Sequence, residues 1–153
     1  MLHLSKILPA LIEDHPALTK LTIASKSYWG YSHDQVEQWR ALLTITPDYI
    51  LTNSVYKVLS KDTLAGYYSY QEKTNHTVEL DNMFVAPVFI RKGIGSILIQ
   101  DFLNKVMQKG FTKIVLKAEP FAEGFYTNYG FRKTGQLESS IPGRFLPVME
   151  KEI

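Results

Sequence analysis

Hydrophobic and polar positions change period along the chain, and the changes divide it into helical and extended stretches. Leu2, Leu4 and Ile7 suggest a short first strand, with Pro9 breaking it. Leu18, Leu21, Thr22, Ser25, Tyr28 and Trp29 then recur at helical spacing. Asp14 is placed to cap that helix, Pro16 sits in its first turn where a missing N–H costs nothing, and Gly30 stops it. A second helix starts at Ser32 or His33–Asp34, is carried by Val36, Trp39, Leu42 and Leu43, and ends before Pro47.

From Val55 the period shortens. Val55–Leu59 and Leu64–Tyr70 are rich in β-branched and aromatic residues around a Lys61-Asp62 turn, which predicts a hairpin. A polar connection, Glu72–His76, leads into a third strand, Thr77–Val85. There Val78 and Leu80 share one face and Thr77, Glu79 and Asp81 the other. The alternation slips between Asn82 and Met83. That indicates either burial on both faces or a β-bulge that splays the strand and frees backbone groups. The next helix has an apolar face of Ile94, Ile97, Leu98, Phe102, Val106 and Met107 and is closed by Gly110. Ile114–Leu116 reads as a buried parallel strand, Phe121–Tyr129 as a short helix ending at Gly130, and Phe131–Leu137 with Phe145–Glu150 as a strand pair across Pro142-Gly143.

Composition narrows this picture. A length of 153 residues, 45% hydrophobic and 21% charged, fits a single domain over residues 1–153 with a real core. A net charge of +2 is too weak for a nucleic-acid protein, and no apolar run approaches a membrane span. The Leu2–Ile12 segment lacks the marks of a signal peptide, so a soluble cytoplasmic domain is the default expectation. The chain has no cysteine, which excludes disulfides and a cysteine nucleophile, and its four scattered histidines give no support to a metal site.

The chemistry concentrates where the Thr77 strand turns into the next helix. A strand, a glycine-containing turn and a helix N-terminus together offer backbone N–H groups to a phosphate. A Rossmann reading would need a third glycine where Leu98 stands, and a Walker reading a Gly-Lys-Ser/Thr that is absent. The signature is longer than two glycines: Val85-x-Pro87, five residues, Gly93-Ile94-Gly95, and downstream Phe125-Tyr126, three residues, Gly130-Phe131. Together these residues resemble the GCN5-related N-acetyltransferase family, specifically from Val55 to Phe131.

The resemblance implies an α/β fold with a mixed, largely antiparallel central sheet, splayed by a β-bulge and flanked by helices: the acyl-CoA N-acyltransferase fold. It implies acetyl-CoA as cosubstrate, no metal, a small-molecule or protein amine as acceptor, no nucleic-acid or membrane partner, and a homodimer as in many relatives. Transfer would be direct, to a primary amine. Amides of Arg91, Lys92, Gly93, Ile94, Gly95 and Ser96 would hold the pyrophosphate, and backbone groups of Met83, Phe84 and Val85 the pantetheine arm and thioester. Glu79 matches the general base of some members, with Asp81 on the same face competing. Each is equally a solvent-facing strand residue. Tyr126 matches the tyrosine that protonates the departing thiolate, against a packing role. Tyr28, Trp29 and Tyr31 fall in the region that covers the acceptor, against a bland role in the core. Ser139, Ser140 and Arg144 are further positions for an anionic acceptor. Two departures stand out. Ile90 occupies the place of an Arg or Gln in the turn, and Glu119 that of a pantetheine-binding asparagine. Ile90 motivates an alternative, a non-catalytic acyl-CoA-binding or interaction module on the same fold.

Overall fold

The alternating stretches pair into strands and the helix-period stretches flank them. The computed structural model describes residues 3–153, so Leu2 of the expected first strand lies outside the described residues. Two compact units are distinguished: one runs to Tyr70 and resumes over Asn82–Leu103, the other comprises Gln71–Asp81 and Asn104–Ile153. The described strands follow the order β1-β2-β3-β4-β5-β7-β6, and β4 contributes to both units.

The first unit begins with β1 (Leu8–Pro9), a 3-10 turn (Ile12–Asp14) and α1 (His15–Tyr28). The expected strand does not form over residues 3–7, where Leu4 makes only an isolated bridge to Ser60; the first strand is Leu8–Pro9 instead, with Pro9 opposite Tyr56 at an edge that leaves its missing N–H harmless. Asp14 precedes α1 without bonding its amides. Its carboxylate accepts instead from the Leu11 amide at 2.7 Å and from Lys57 Nζ at 2.6 Å. α1 stops at Tyr28, and Gly30 takes φ +91°. Ser32 caps α2 (His33–Gln38), accepting from the Gln35 amide, and α3 (Arg40–Leu43) follows after a break at Trp39. Leu42, expected on the apolar face, is 82% exposed. The second helical stretch ends at Leu43, before Pro47 as expected, and Pro47 opens a further helix, α4 (Pro47–Thr52), with the Thr46 hydroxyl capping it.

The predicted hairpin forms as β2 (Ser54–Ser60) and β3 (Thr63–Glu72) across Lys61, at φ +54°. β3 is buried on both faces. On one, Tyr67 joins Leu18, Leu21, Ile45 and Val55, with Phe84 and Ala86 packed against the cluster. On the other, Tyr68 and Tyr70 stack and meet Phe102 of α5 (Ile94–Gln108) at 5.5 and 5.4 Å. Of the expected apolar face of α5, Ile97 and Met107 are exposed, and Ile99 is buried in their place.

In the second unit, Thr77–Leu80 of β4 (Thr77–Val85) runs parallel to Lys113–Leu116 of β5 (Lys113–Lys117). The predicted last strand pair is β6 (Arg132–Glu138) and β7 (Phe145–Glu152). β7 lies between β5 and β6, antiparallel to both, a strand order that local patterns cannot convey. The expected Phe121–Tyr129 helix is a 3-10 turn (Pro120–Ala122) followed by α6 (Glu123–Asn128). No helix among the described residues is long and apolar enough to cross a membrane.

Candidate active site

β4 continues to Val85, past its register with β5, which ends at Leu80 opposite Leu116. Met83, Phe84 and Val85 are half-buried. Just before them, the Asn82 side-chain amide donates to the Tyr49 hydroxyl at 3.0 Å and to Ser69 Oγ at 3.1 Å. Tyr49 and Ser69 themselves share a hydrogen bond of 2.7 Å. Sequence reasoning missed this network; the polar Asn82 at the slip in alternation was the available signal.

After β4 the Ala86 amide bonds the Ala65 carbonyl at 2.9 Å, and a 3-10 turn (Pro87–Phe89) leads to the glycine turn. Ile90 is extended, Arg91 takes φ +66° and Gly93 φ +84°, after which α5 begins at Ile94. Ile94 is buried, so only its backbone is available to a ligand. The Ile97 amide bonds the Gly93 carbonyl, so the amides of Ile94 and Gly95 precede any intrahelical partner four residues back. A Cβ built on Gly93 meets nothing within 4 Å. This glycine therefore serves its backbone angle and leaves open space at the helix N-terminus, which suits an anion. The turn fits the pyrophosphate of coenzyme A. Arg91 and Lys92 are exposed there, and Lys92 Nζ lies 5.9 Å from the Phe89 ring centre.

Glu79 is well covered. Its Oε1 accepts from Gln71 Nε2 at 3.2 Å and lies 3.5 Å from Lys73 Nζ. Both contacts fall on one oxygen, leaving Oε2 without a hydrogen bond to a described residue. Asp81, two residues on, is exposed. The Tyr126 ring packs edge-to-face on Phe125 and Phe131 at 5.2 and 5.7 Å, and the residue is 8% exposed. Burial pushes its pKa up. Packing fixes the ring and burial keeps the phenol protonated.

Arg144 is not poised for an anionic acceptor as the sequence suggested. Its guanidinium donates to Glu119 Oε2 at 2.9 Å, both side chains being about seven-eighths buried (14% and 15% exposed). Ser139 Oγ accepts from the Ile141 amide within the same loop. In the first unit Tyr28 and Trp29 form an exposed edge-to-face pair at 5.1 Å, so the bland role in the core fails for both. Tyr31 packs edge-to-face on Trp39 at 4.9 Å, and Lys26 Nζ lies over both rings. Ser25, on the same helix as Tyr28, is buried.

A family model described as an acetyltransferase (GNAT) domain matches residues 31–152. The chain is 31% identical over 117 residues to the peptidyl-lysine N-acetyltransferase YiaC of Escherichia coli (strain K12), covering 76% of this chain and 75% of that one. Among solved structures it resembles a GCN5-related N-acetyltransferase from Rhodopseudomonas palustris, with TM-score 0.80, 18% identity, and 100% and 98% of the two chains covered. It also resembles the PaiA N-acetyltransferase of Thermoplasma acidophilum in complex with coenzyme A, with TM-score 0.77, 20% identity, and 100% and 99% covered. The fold is thus that of the acyl-CoA N-acyltransferases. The chain belongs to the GCN5-related N-acetyltransferase family and is an acetyltransferase.

Proposed function

We propose that the protein moves the acetyl group of acetyl-CoA directly onto a primary amine, with a lysine side chain of a protein as the first acceptor to test. The observation carrying the reading is the Gly93 turn: a left-handed glycine over open space at the start of α5, in the family's own spacing. Acetyl-CoA supplies an activated thioester when bound. Amides of Arg91–Ser96 hold its pyrophosphate, and backbone groups of Met83–Val85 orient its arm. Glu79, through Oε2, takes a proton from the acceptor ammonium directly or through one water. Its covered position and single engaged oxygen favour it over the exposed Asp81. Tyr126 gives its proton to the leaving thiolate, and burial keeps it in the acid form at neutral pH. Tyr28, Trp29 and Tyr31 offer aromatic faces to the acceptor. The choice of a protein lysine as first probe follows the peptidyl-lysine activity of the relative.

The test is thiol release from acetyl-CoA over lysine peptides, polyamines, amino acids and aminoglycosides. Release with an acceptor supports the enzyme. Stabilisation by coenzyme A with no release from any amine class favours the non-catalytic module that Ile90 motivates. In Glu79→Gln the acidic limb of the pH–rate profile is expected to flatten. If Asp81→Asn flattens it instead, the base is Asp81.

A further inference from the structure

Among the described residues, Glu119 and Arg144 form the best-covered ion pair of the second unit, and the proposed roles leave it unused. In sheets with parallel strands, ligands gather beyond the carboxyl ends of those strands. β4 and β5 are the parallel pair, and Glu119 stands just past the carboxyl end of β5. Its backbone is fixed three ways. The Ala118 amide bonds the Pro147 carbonyl at 2.8 Å, the Ala122 amide bonds the Glu119 carbonyl at 2.8 Å, and Pro120 holds Glu119 extended. Arg144 arrives from the β6–β7 loop, which is folded on itself by the Ser139 amide to the Arg144 carbonyl and by Gly143 at φ +79°. A guanidinium here is a fixed positive charge that never titrates away. A primary amine acceptor approaches as an ammonium, and like charges set close together in a partly dry site repel strongly.

We propose that Glu119 is a specificity-determining residue: it masks the charge of Arg144 and so keeps this end of the fold open to cationic acceptors. The inference rests on the amine-acetyltransferase reading. It accounts for a carboxylate at a position where the family resemblance leads one to expect an uncharged amide. The carboxylate serves the acceptor side, through Arg144, rather than the pantetheine. Arg144 in turn anchors the loop on a rigid point. Breaking the pair changes the charge beyond the carboxyl end of β5, while the bonds of the Ala118 and Ala122 amides still hold the backbone that leads through the 3-10 turn to α6 and Tyr126.

The test is a four-member cycle of wild type, Glu119→Gln, Arg144→Gln and the double variant. Each is assayed by thiol release with a lysine peptide, cationic at neutral pH, and with an O-alkyl hydroxylamine, which is uncharged. Glu119→Gln is expected to raise KM for the lysine peptide about five- to tenfold at low salt, an effect that added salt reduces. KM for the hydroxylamine and for acetyl-CoA should stay within about twofold. Arg144→Gln is expected to lower KM for the peptide, and the double variant, which is neutral at both positions, to return near wild type. Because Glu119→Gln leaves a covered guanidinium without this partner and can fail to fold, the Arg144→Gln and double variants carry the test without it. Equal changes for both acceptors, or a rise confined to acetyl-CoA, would overturn the proposal while leaving the enzyme intact. Wild type that releases no thiol with any amine would instead overturn the underlying reading.

Discussion

Arg91 sits in the left-handed region at φ +66°, two residues before Gly93 at φ +84°. A residue with a Cβ held there costs about 1–2 kcal/mol, so the turn keeps a charged side chain at a place better suited to glycine. Arg91→Gly removes that strain but adds unfolded-state freedom of roughly 0.5–1 kcal/mol. The two nearly cancel. Thermal stability should therefore change little, while the dissociation constant for coenzyme A, measured by calorimetry, rises with the lost charge. Unchanged affinity would confine the grip to the backbone. Tyr126 permits a double test. Tyr126→Phe is expected to lower kcat about a hundredfold with little change in KM for acetyl-CoA; unchanged kcat would reduce Tyr126 to packing. Its folded pKa is raised by burial, whereas the unfolded chain loses the same proton near pH 10. Its contribution to stability is therefore complete below about pH 10 and is lost as pH rises toward the folded value. Melting curves of Tyr126→Phe should accordingly fall less steeply above about pH 10 than those of wild type.

At the scale of elements, the glycine turn depends on how α5 seats against β3. A Cβ on Gly66 would lie 3.0 Å from the Phe84 carbonyl oxygen and 3.1 Å from both Ile94 Cγ2 and Leu98 Cδ1. One methyl group would thus press on β4 beside Met83–Val85 and on the first turn of α5 at once. Gly66→Ala is expected to cost about 1–3 kcal/mol in chemical denaturation and to weaken coenzyme A binding. A stability loss with affinity intact would show that the turn is insulated from the packing beneath it. The β2–β3 hairpin, β4, α5 and β5 all fall where the sequence puts them, α5 and the first half of β4 through a local period and β3 and β5 through runs of β-branched, aromatic or apolar residues. Misreadings cluster at prolines and helix faces. Pro9 read as a stop yet lies in an edge strand; a helical stretch does end before Pro47, at Leu43, but the helix that Pro47 itself opens went unread, since a ring that follows one element also suits the start of another. Ile97 and Met107 fit a helical stripe but face outward, while β3 shows no alternation because both its faces are covered. Of the candidate site, the glycine turn stood out as a strand–turn–helix pattern, whereas Glu79 and Tyr126 were proposed only through the family resemblance. The Asn82–Tyr49–Ser69 network and the Glu119–Arg144 pair were not, because each joins side chains distant in sequence.

For the whole molecule, the family match over residues 31–152 leaves all of α1 outside it, and α1 carries Tyr28 and leads into Trp29. Acceptor choice is therefore least readable where the chain is least like its relatives, whereas cofactor binding rests on the shared part and can be tested alone. A ligand that binds only the folded chain stabilises it by RT ln(1 + [L]/Kd), about 2.7 kcal/mol at a hundredfold excess over Kd. For a domain of this size that corresponds to a rise in Tm of roughly 5–10 °C. Coenzyme A at millimolar concentration is expected to give a shift of this order by differential scanning fluorimetry. The cradle reading adds a finer expectation. Pantetheine keeps the thiol arm but has no pyrophosphate, so it should shift Tm far less at the same concentration. Gly93→Val should lower the starting Tm, because φ +84° is costly for a β-branched residue, and should also abolish most of the coenzyme A shift by filling the open space. Equal shifts from pantetheine and coenzyme A would place the grip on the arm rather than the phosphates, and Gly93 would then matter only to the fold. A full coenzyme A shift in Gly93→Val would have the same meaning.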